Sequence, residues 1–487
     1  MSTSARPLRC AVLGAGMAGI LAAIKLREAG VGPVVVFEKG DRFGGTWREN
    51  RYPGITCDVP SHLYSYSFAP NPDWSHRFSP GPEIQAYFSD VARRYGIDQC
   101  TRFGAEVTSL EWSGGAWQLE TSSGTSGEFD VVIAATGVLH HPNVPDLAGL
   151  ETFAGTWCHS SRWDDDIEVT GKRVGVIGTG STAVQITGAV APVAGQFTLF
   201  QRTPQWIMPS HNPPYTDEQR AEFRRDPEAM ARKRKEYAAL FTDGIANFLV
   251  DAESPQMKMI EDLCRDNLER SVADPVLREQ LRPSYRAACK RLVMSADFYD
   301  AVQLPNSRLV TDPILCIEPA GVRTDDGTLH ELDSLVVATG FRVDRFIRPT
   351  TVRRIGGCDL NDVWDDGPLA YLSISVPDFP NLFMLNGPNG PVGNFSLIDV
   401  AELQMEYVSQ LVDRVRALPE GGLAATADAT STFERDRREA SHSTIWASGC
   451  NSWYLDRHGI PATWPWTFDR FREVLSKPDL ERYEALS

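Results

Sequence analysis

The sequence predicts an α/β protein with two Rossmann-like dinucleotide-binding domains and a helical insertion. Three observations lead to this prediction. Two glycine-rich turns each follow a short apolar strand, an ionisable residue stands at the same spacing after each turn, and a ten-residue segment recurs. The chain of 487 residues is long enough for two or three domains with a buried core.

The first glycine-rich turn lies near the start of the chain. Residues 9–28, RCAVLGAGMAGILAAIKLRE, predict a strand, a turn and a helix, with Gly14, Gly16 and Gly19 in the pattern G-x-G-x-x-G. Such glycines permit a tight turn, approach of the backbone to a pyrophosphate, and packing of the helix on the strand. The next strand ends in Glu38, whose carboxylate would accept both ribose hydroxyls and repel a 2′-phosphate. We therefore predict a dinucleotide with a free 2′-hydroxyl here.

The second turn repeats this pattern with the opposite charge. Arg202 follows Gly178 at the spacing that separates Glu38 from Gly14. At about 4 Å and an effective dielectric constant of about 20, opposite unit charges attract by about 4 kcal/mol before desolvation. A 2′-phosphorylated nucleotide is expected here, so the two units predict FAD plus NADPH. The predicted contacts of the second nucleotide are Gly178, Thr179, Gly180, Ser181, Thr182, Ala183, Gln201 and Arg202.

An internal repeat supports a duplicated architecture. EFDVVIAATG (128–137) and ELDSLVVATG (331–340) share Glu, Asp, Ala, Thr and Gly in register. Each segment predicts a buried strand that ends in a turn and closes one nucleotide unit. Two ordinary parallel strands that end in turns are the alternative interpretation.

Composition excludes several classes of partner. The chain has 48 basic and 64 acidic residues, a formal net charge of −16, which argues against nucleic acid and anionic membranes. No apolar stretch approaches the roughly 18 residues of a membrane span. The nine cysteines are odd in number and include no Cys-x-x-Cys, so we expect neither a disulfide framework nor a metal site. A cytoplasmic location is predicted.

With these motifs, the sequence resembles the type I Baeyer–Villiger monooxygenases, a class B flavoprotein monooxygenase family. Residues 153–164, FAGTWCHSSRWD, match the fingerprint F-x-G-x-x-x-H-x-x-x-W-D of that family. Heteroatom-oxidising relatives usually carry Tyr or Phe at the position of Trp163, so the tryptophan favours the carbonyl-oxidising branch. Two further family signatures are GGTW followed by RYPGITCD, within residues 44–58, and the ATG-Phe turn at 338–341. Ala183 departs from the glycine that some members have.

The fingerprint segment shows neither a helical nor a strand period. The resemblance implies that it is the hinge between the FAD and NADPH domains. For His159 two interpretations stay open, a part in domain movement and a purely structural role in the linker.

The resemblance also implies the reaction and its central residues. Members use NADPH and dioxygen to insert oxygen beside a ketone carbonyl through a peroxyflavin, which gives an ester or lactone. Arg291 is then the catalytic arginine, since its guanidinium cannot lose its proton at neutral pH. Asp58 corresponds to the carboxylate that positions this arginine and contacts the nicotinamide, and Lys290 joins Arg202 at the 2′-phosphate. A solvated surface turn is the alternative for the Lys-Arg pair.

Further cofactor and substrate contacts follow from the same signatures. Those expected at the flavin are Gly45, Thr46, Trp47, Asp58, Tyr64, Val107 and Leu397. Trp453 matches a tryptophan on a mobile loop that folds over the nicotinamide and substrate. For Trp47, Tyr64 and Trp453, core packing is the alternative. Residues 387–399 are predicted to select the substrate, with Asn394, Phe395 and Leu397 pointing toward the flavin.

The domain organisation is predicted to be discontinuous. Residues 209–285 interrupt the α/β pattern, with a capping box at Thr216 and Gln219 and helix-start prolines at Pro255 and Pro275. We interpret this region as a helical insertion that walls the substrate cavity. The FAD domain is predicted over 1–150 plus 381–487, and the NADPH domain over 151–208 plus 286–380.

Three other functions were weighed against ketone oxidation. Oxidation of sulfur or nitrogen would use the same cofactors and remains the main alternative. A dithiol–disulfide reductase needs a redox cysteine pair near the flavin, and Cys57 has no cysteine partner within a few residues. A non-catalytic redox sensor would keep both nucleotide sites but has no need of Arg291.

Overall fold

Two five-stranded parallel sheets form the centre of the protein, seen in a computed structural model that describes residues 7–164, 166–354 and 356–486. The first sheet has the strand order Leu382–Met384, Val131–Ala134, Cys10–Leu13, Val34–Glu38, Thr101–Phe103. The second has the order Ser307–Val310, Gln196–Phe200, Arg173–Ile177, Ser334–Val337, Thr156–His159. Central strands made almost wholly of Val, Ile, Leu and Ala suit sheets buried on both faces. The predicted fold class is confirmed.

The ten-residue repeat occupies the same structural position in both units. The backbone N–H of Arg9 donates to Asp130 at 2.7 Å, and that of Arg173 donates to Asp333 at 2.9 Å. Each arginine side chain also binds the same aspartate. The acidic start of each repeat is thereby fixed to the start of the strand that leads into a glycine-rich turn.

Helices and smaller sheets surround this centre. The helices are Met17–Glu28, Thr46–Glu49, Gly81–Arg94, Ser181–Val190, Asp217–Arg225, Pro227–Ala238, Pro255–Ser271, Pro275–Gln280, Phe298–Val302, Leu360–Val363, Leu397–Ala417, Ala427–Ser441 and Phe468–Val474. A mixed sheet has the order Thr351–Arg353, Val107–Ser113, Ala116–Thr121, Ser126–Phe129, with the first pair parallel and the others antiparallel. An antiparallel sheet contains Ile314–Glu318, Gly321–Thr324 and Leu329–Glu331. The two-stranded sheets are Ile207–Pro209 with Val293–Ser295 and Gly422–Ala425 with Tyr483–Leu486. Within the described ranges, no helix combines the length and apolarity needed to cross a bilayer.

The region 209–285 is helical, as its capping signals predict. Thr216 and Gln219 form the complete capping box, with each side chain bound to the backbone of the other residue. Pro255 and Pro275 both stand at the first position of a helix. A proline costs nothing there, because the N–H it lacks would have no helical partner.

The chain returns to the first unit earlier than the predicted boundary at residue 381. The strand Thr351–Arg353 pairs in parallel with Val107–Ser113. Ile347, Trp364 and Phe379 are buried in the same apolar cluster as the first sheet. The stretch has no motif of its own, so its packing on the first sheet is visible only in the folded chain.

The fingerprint segment is more regular than its sequence suggests. Thr156–His159 is the edge strand of the second sheet and pairs in parallel with Ser334–Val337. The missing strand period in 153–164 therefore does not exclude a strand. An edge strand of four residues is too short for a period of two to stand out among polar and aromatic neighbours.

The cysteine prediction also needs correction. Cys289 and Cys450 form a disulfide across 161 residues of chain, although an odd count had argued against pairing. The other seven cysteines are unpaired. Count and spacing do not reveal one isolated bridge, because partners so far apart in sequence meet only in the folded chain. Among the described residues, no group of three or more His, Cys, Asp or Glu side chains is placed to hold a metal ion.

Candidate active site

One elongated cavity brings together most of the residues predicted to contact the flavin. It lies at the carboxyl ends of the first sheet, next to the first glycine-rich turn. The residues that line it and were expected to contact the cofactor are Gly14, Gly16, Glu38, Gly45, Thr46, Trp47, Tyr64, Val107 and Leu397. Gly19 does not line the cavity. A Cβ there would lie 1.8 Å from the Gly14 carbonyl oxygen, so this glycine allows the helix to pack closely on the turn. The cavity is lined by the acid Glu38, by the glycine turn and by the aromatic residues Trp47 and Tyr64. This combination fits an extended dinucleotide such as FAD.

The first glycine of each nucleotide turn is required for the same geometric reason. Gly14 has φ +100°, and a Cβ there would lie 2.6 Å from the carbonyl oxygen of Ala135. Gly178 has φ +122°, and its Cβ would lie 2.4 Å from the carbonyl oxygen of Ala338. Both carbonyls belong to the Ala-Thr-Gly end of the internal repeat. The repeat therefore forms the wall against which each glycine turn closes.

Matched alanine substitutions at these glycines should separate the two nucleotide sites. Strain of roughly 1–3 kcal/mol is expected at each left-handed position, confined to the turn that carries it. Gly14→Ala should purify with a reduced flavin content, while Gly178→Ala should keep its flavin and show a raised KM for NADPH. Flavin absorbance and NADPH kinetics test this, each variant serving as the control for the other. Loss of the same cofactor in both variants would contradict the assignment.

The acid at the end of the second strand is buried and already hydrogen-bonded. Glu38 is 4 % exposed and accepts from the backbone N–H groups of Ala15 and Gly40, both at 2.7 Å. It also pairs with Arg48 at 2.6 Å, a residue that the sequence analysis did not identify. Arg48 lines the cavity as well. The helix Thr46–Glu49 that follows the Gly-Gly turn places this guanidinium beside the carboxylate.

Arg291 and Asp58 form an ion pair across 233 residues of chain. Nε of Arg291 donates to Oδ2 of Asp58 at 3.0 Å, and Nη2 donates to the same oxygen. Nη1 donates to the carbonyl of Gly393, which follows the cavity-lining Val392. Burial lowers and the Asp58 carboxylate raises the pKa of Arg291, with a net rise above its ordinary value. The guanidinium is thus a fixed positive charge at the edge of the cavity.

Tyr454, and not Trp453, is the aromatic residue at this arginine. The Tyr454 hydroxyl donates to the Gly393 carbonyl at 3.3 Å and is hydrogen-bonded with Arg291. Trp453 is 39 % exposed and contacts the Tyr454 ring at 4.2 Å between centroids. Gly393 has to be glycine, because its φ is +98° and a Cβ would lie 2.3 Å from the Tyr454 hydroxyl.

Two cations without an acidic partner stand at the second glycine turn. Arg202 follows the strand Gln196–Phe200 and is exposed. Burial, and then the nearby positive charge of Arg202, lower the pKa of Lys290. No carboxylate of the described ranges lies within 4.0 Å of either side chain. Unpaired cations brought close together are what a phosphate would neutralise, so the residues fit a 2′-phosphorylated nucleotide.

The remaining residues of the second turn form the expected geometry. The backbone turns between Arg173–Ile177 and Ser181–Val190, and Ala183 is fully buried where the helix packs on the sheet. Several side chains connect this turn to its surroundings. Thr179 donates to the Thr203 carbonyl, Thr182 to the Tyr52 hydroxyl, and Gln201 to the Gln280 carbonyl. Gly180 and Ser181 stay open to solvent at least in part.

The predicted substrate loop is divided between the core and the cavity. Leu397 lines the cavity, whereas Phe395 packs against Phe468 at 5.0 Å between centroids. Asn394 is 2 % exposed, and both its amide nitrogen and its amide oxygen lack a protein partner. A buried amide with no partner at either end is costly unless a ligand satisfies it.

His159 connects the fingerprint strand to the second Ala-Thr-Gly turn. Its Nε2 lies 3.0 Å from the Gly340 carbonyl, and its Nδ1 lies 2.9 Å from the Ser161 hydroxyl. Burial lowers its pKa, which favours the neutral ring. These contacts explain a structural role, and they lie where the second unit adjoins the linker.

Arg234 is a connecting residue that sequence reasoning missed. It extends from the insertion helix Pro227–Ala238 and donates to the carbonyls of His62, Leu63 and Ser65. It also pairs with Asp399 near the start of the helix Leu397–Ala417. These segments carry two cavity-lining residues, so one side chain of the insertion holds both walls. Basic and acidic residues alternate over residues 224–237, a pattern typical of a solvated helix face, so no sequence signal sets this arginine apart.

Comparison with known proteins agrees with this geometry. Residues 8–215 match the family described as flavin-binding monooxygenase-like. The chain is 46 % identical to a monooxygenase of Mycobacterium tuberculosis over 98 % of its own length and 97 % of the relative. It is 38 % identical to a Baeyer–Villiger monooxygenase of Streptomyces coelicolor, with 98 % and 93 % covered. The solved structure of cyclohexanone monooxygenase from Rhodococcus sp. Phi1 bound to NADP+ superimposes with a TM-score of 0.86 at 31 % identity, over 99 % of this chain and all of that one.

The chain and these relatives are similar in sequence over nearly the whole length and have the same fold of two units. The similarity is therefore not limited to a common nucleotide-binding motif. The resemblance stated from the fingerprints is thereby confirmed. The chain belongs to the Baeyer–Villiger monooxygenases of the flavin-binding monooxygenase-like family, enzymes that use FAD and NADPH.

Proposed function

We propose that this protein converts a ketone into an ester or lactone with Arg291 as the catalytic arginine. The ketone, dioxygen, NADPH and a proton would become the ester, NADP+ and water, with one oxygen atom of O2 in each oxygenated product. The observation that carries the proposal is the ion pair of Arg291 with Asp58 at the edge of the cavity. Bound FAD would relay two electrons from NADPH and activate dioxygen.

Arg291 would stabilise negative charge on oxygen during the reaction. Its pKa is raised, so it remains charged at every working pH and does not neutralise a basic oxygen by giving up a proton. Asp58 occupies two of the five N–H groups, Gly393 a third and the Tyr454 hydroxyl a fourth, which leaves one donor for a reacting oxygen. Asp58 is a positioning residue in this arrangement, because it fixes the plane of the guanidinium.

The second turn and its two cations would hold NADPH. The backbone N–H groups at the start of the helix Ser181–Val190 suit the pyrophosphate. Arg202 and Lys290 would bind the 2′-phosphate, which would supply the negative charge that the two cations lack. Since Lys290 directly precedes Arg291, nucleotide binding and the catalytic arginine would be coupled through one backbone segment.

The domain assignment follows the packing. We propose an FAD domain that comprises residues 7–150 and the chain from about residue 347 onward, since that stretch packs on the first sheet. The insertion 209–285 would wall the substrate cavity, supported by the contacts of Arg234. A cytoplasmic location is proposed from the seven unpaired cysteines.

A competition between substrate classes tests the proposal. Purified enzyme with NADPH and air should convert at least one member of a panel of cyclic, linear, aromatic and polycyclic ketones into the ester or lactone. A thioether in the same mixture shows whether sulfur is also oxidised, and mass spectrometry identifies both products. Sulfoxide alone, with no ester from any ketone, would favour heteroatom oxidation and contradict the proposal. Omission of NADPH is the control.

A further inference from the structure

The disulfide lies next to the residues proposed to act in the reaction. Cys289 immediately precedes Lys290 and Arg291, and Cys450 stands four residues before Tyr454. One covalent bond therefore joins the segment of the arginine to the segment of the tyrosine that contacts it. This cysteine pair lies inside an apolar cluster that is separate from the clusters around the two sheets.

Most other long-range contacts of the segment that carries Cys450 lie after Tyr454. There Arg437 donates to the Pro461 carbonyl, Arg457 donates to the Asp365 carbonyl, and His458 contacts Asp366 at 2.9 Å. Residues 448–467 contain no helix or strand beyond a single bridge pair, Leu455 with Pro461. Tyr454 is held to the arginine side of the site by its hydroxyl contact to Gly393. Further along, Thr463 and Trp464 bind the carbonyl of Gly390. Tyr454 also packs on Trp446, at 5.5 Å between ring centroids. Between Cys450 and Tyr454 the hydrogen bonds are local ones to Ser452, so the disulfide is the link that ties this short stretch to the segment of Arg291. Stretches with few long-range contacts open most easily.

We propose that the Cys289–Cys450 pair is a redox-modification site that holds Tyr454 against Arg291 when oxidised and releases this loop when reduced. The effect on catalysis rests on the proposed function. With the loop released, water would reach Arg291, and less of the NADPH consumed would be used for oxygen transfer. The peroxide formed per NADPH should therefore rise on reduction.

The electrons of this modification balance with simple reagents. A dithiol reductant breaks the S–S bond by exchange, leaves two protein thiols and becomes a disulfide itself. In the reverse direction, hydrogen peroxide accepts two electrons, its O–O bond breaks, the S–S bond forms and two waters leave. NADPH, a proton and dioxygen yield NADP+ and hydrogen peroxide when oxygen transfer fails. The oxidant that restores the closed loop would thus arise when the loop is open.

Cys264 provides a matched control within the same apolar cluster. It is fully buried and unpaired, and burial raises its pKa to about 12, so its thiol is unreactive near neutral pH. Cys264→Ser removes a buried sulfur from this cluster but leaves the disulfide intact. Any effect of general loosening should appear in this variant as well.

Two readouts test the proposal on the purified holoenzyme. Tryptic cleavage after Arg457, an exposed residue of this loop, reports loop opening without reference to activity. Peroxide formed per NADPH, with a ketone present, reports coupling. Dithiothreitol-treated wild type, Cys450→Ser and the double variant Cys289→Ser with Cys450→Ser should each show at least about threefold faster cleavage and threefold more peroxide. Cys264→Ser should match wild type and still respond to dithiothreitol, whereas the double variant should not respond.

Several outcomes would overturn the inference. Nine titratable thiols in denaturant after peroxide treatment would mean that the pair does not form, since seven are expected. Equal rates of cleavage after Arg457 in the oxidised and reduced protein would show that the disulfide does not hold the loop closed. Faster cleavage with an unchanged yield of peroxide per NADPH would show that opening of the loop does not affect oxygen transfer, which contradicts the proposal. If the serine variants do not fold, reduced wild type gives the same comparison. If no ketone reacts, the thiol count and cleavage still test the site, so failure of the proposed function is recognised separately.

Discussion

Replacing Arg291 by alanine is expected to lower kcat for ketone oxidation by about 10²- to 10³-fold, the usual cost of removing one donor that stabilises developing negative charge on oxygen. Arg291 lies at the edge of the flavin cavity and does not line it, so the alanine variant should still bind flavin. The loss of activity should therefore be specific to oxygen transfer. Product formation by gas chromatography gives kcat, and visible absorbance shows whether flavin is retained.

Arg291→Lys is the conservative control for this substitution. Lysine keeps the charge but lacks the planar fork that binds Asp58 through two N–H groups. Its activity should fall between those of the alanine variant and wild type. Wild-type ketone conversion by Arg291→Ala would show that the arginine has no part in the chemistry.

The second large effect is expected at the two unpaired cations. Arg202→Ala and Lys290→Ala should each lower kcat/KM for NADPH by about 10- to 100-fold, because hydrogen bonds to charged groups are worth roughly 1.5–3 kcal/mol. NADH lacks the 2′-phosphate, so its kcat/KM should change less than threefold in Arg202→Ala. Steady-state kinetics with both nucleotides measure this difference.

The comparison of nucleotides supplies its own control. A folding defect or a lost flavin would lower the rates with NADPH and NADH together. Equal losses with both nucleotides would therefore contradict the assignment of Arg202 to the 2′-phosphate. Lys290→Ala is the less selective variant, because its backbone neighbour is Arg291.

The nucleotide units could be predicted from sequence because their constraints are local. Gly14 and Gly178 need positive φ and have no room for a side chain, so the chain has to show glycine at fixed spacing. Glu38 and Arg202 terminate matching strands, which places opposite charges at equivalent positions. Strand, turn and helix lie within one short segment in each unit, and short segments leave a readable pattern.

Other features could not be predicted, because they depend on contacts between distant segments. The disulfide joins residues 161 positions apart, and Arg234 meets carbonyls that lie about 170 positions away. Neither pairing leaves a periodic signal. The contact of Tyr454 with Arg291 could not be predicted either, since adjacent residues in an irregular loop point in directions that only the folded backbone determines.

The pairing of the fingerprint strand and the packing of the stretch before residue 381 also depend on distant partners. Thr156–His159 pairs only along one side and is short, so its tertiary partner outweighs its weak local pattern. Thr351–Arg353 belongs to the first unit through its pairing with Val107–Ser113. In both places the deciding interaction is a parallel strand partner far away in sequence.

In the proposed reaction, the fixed charge of Arg291, oriented by Asp58, directs the electrons of NADPH into oxygen transfer. The most direct test divides the NADPH consumed between ester and hydrogen peroxide in wild type, Arg291→Lys and Arg291→Ala, at saturating NADPH and ketone. We expect mostly ester in wild type, a mixture in the lysine variant and almost only peroxide in the alanine variant. The same ester-to-peroxide ratio in all three proteins would contradict this expectation.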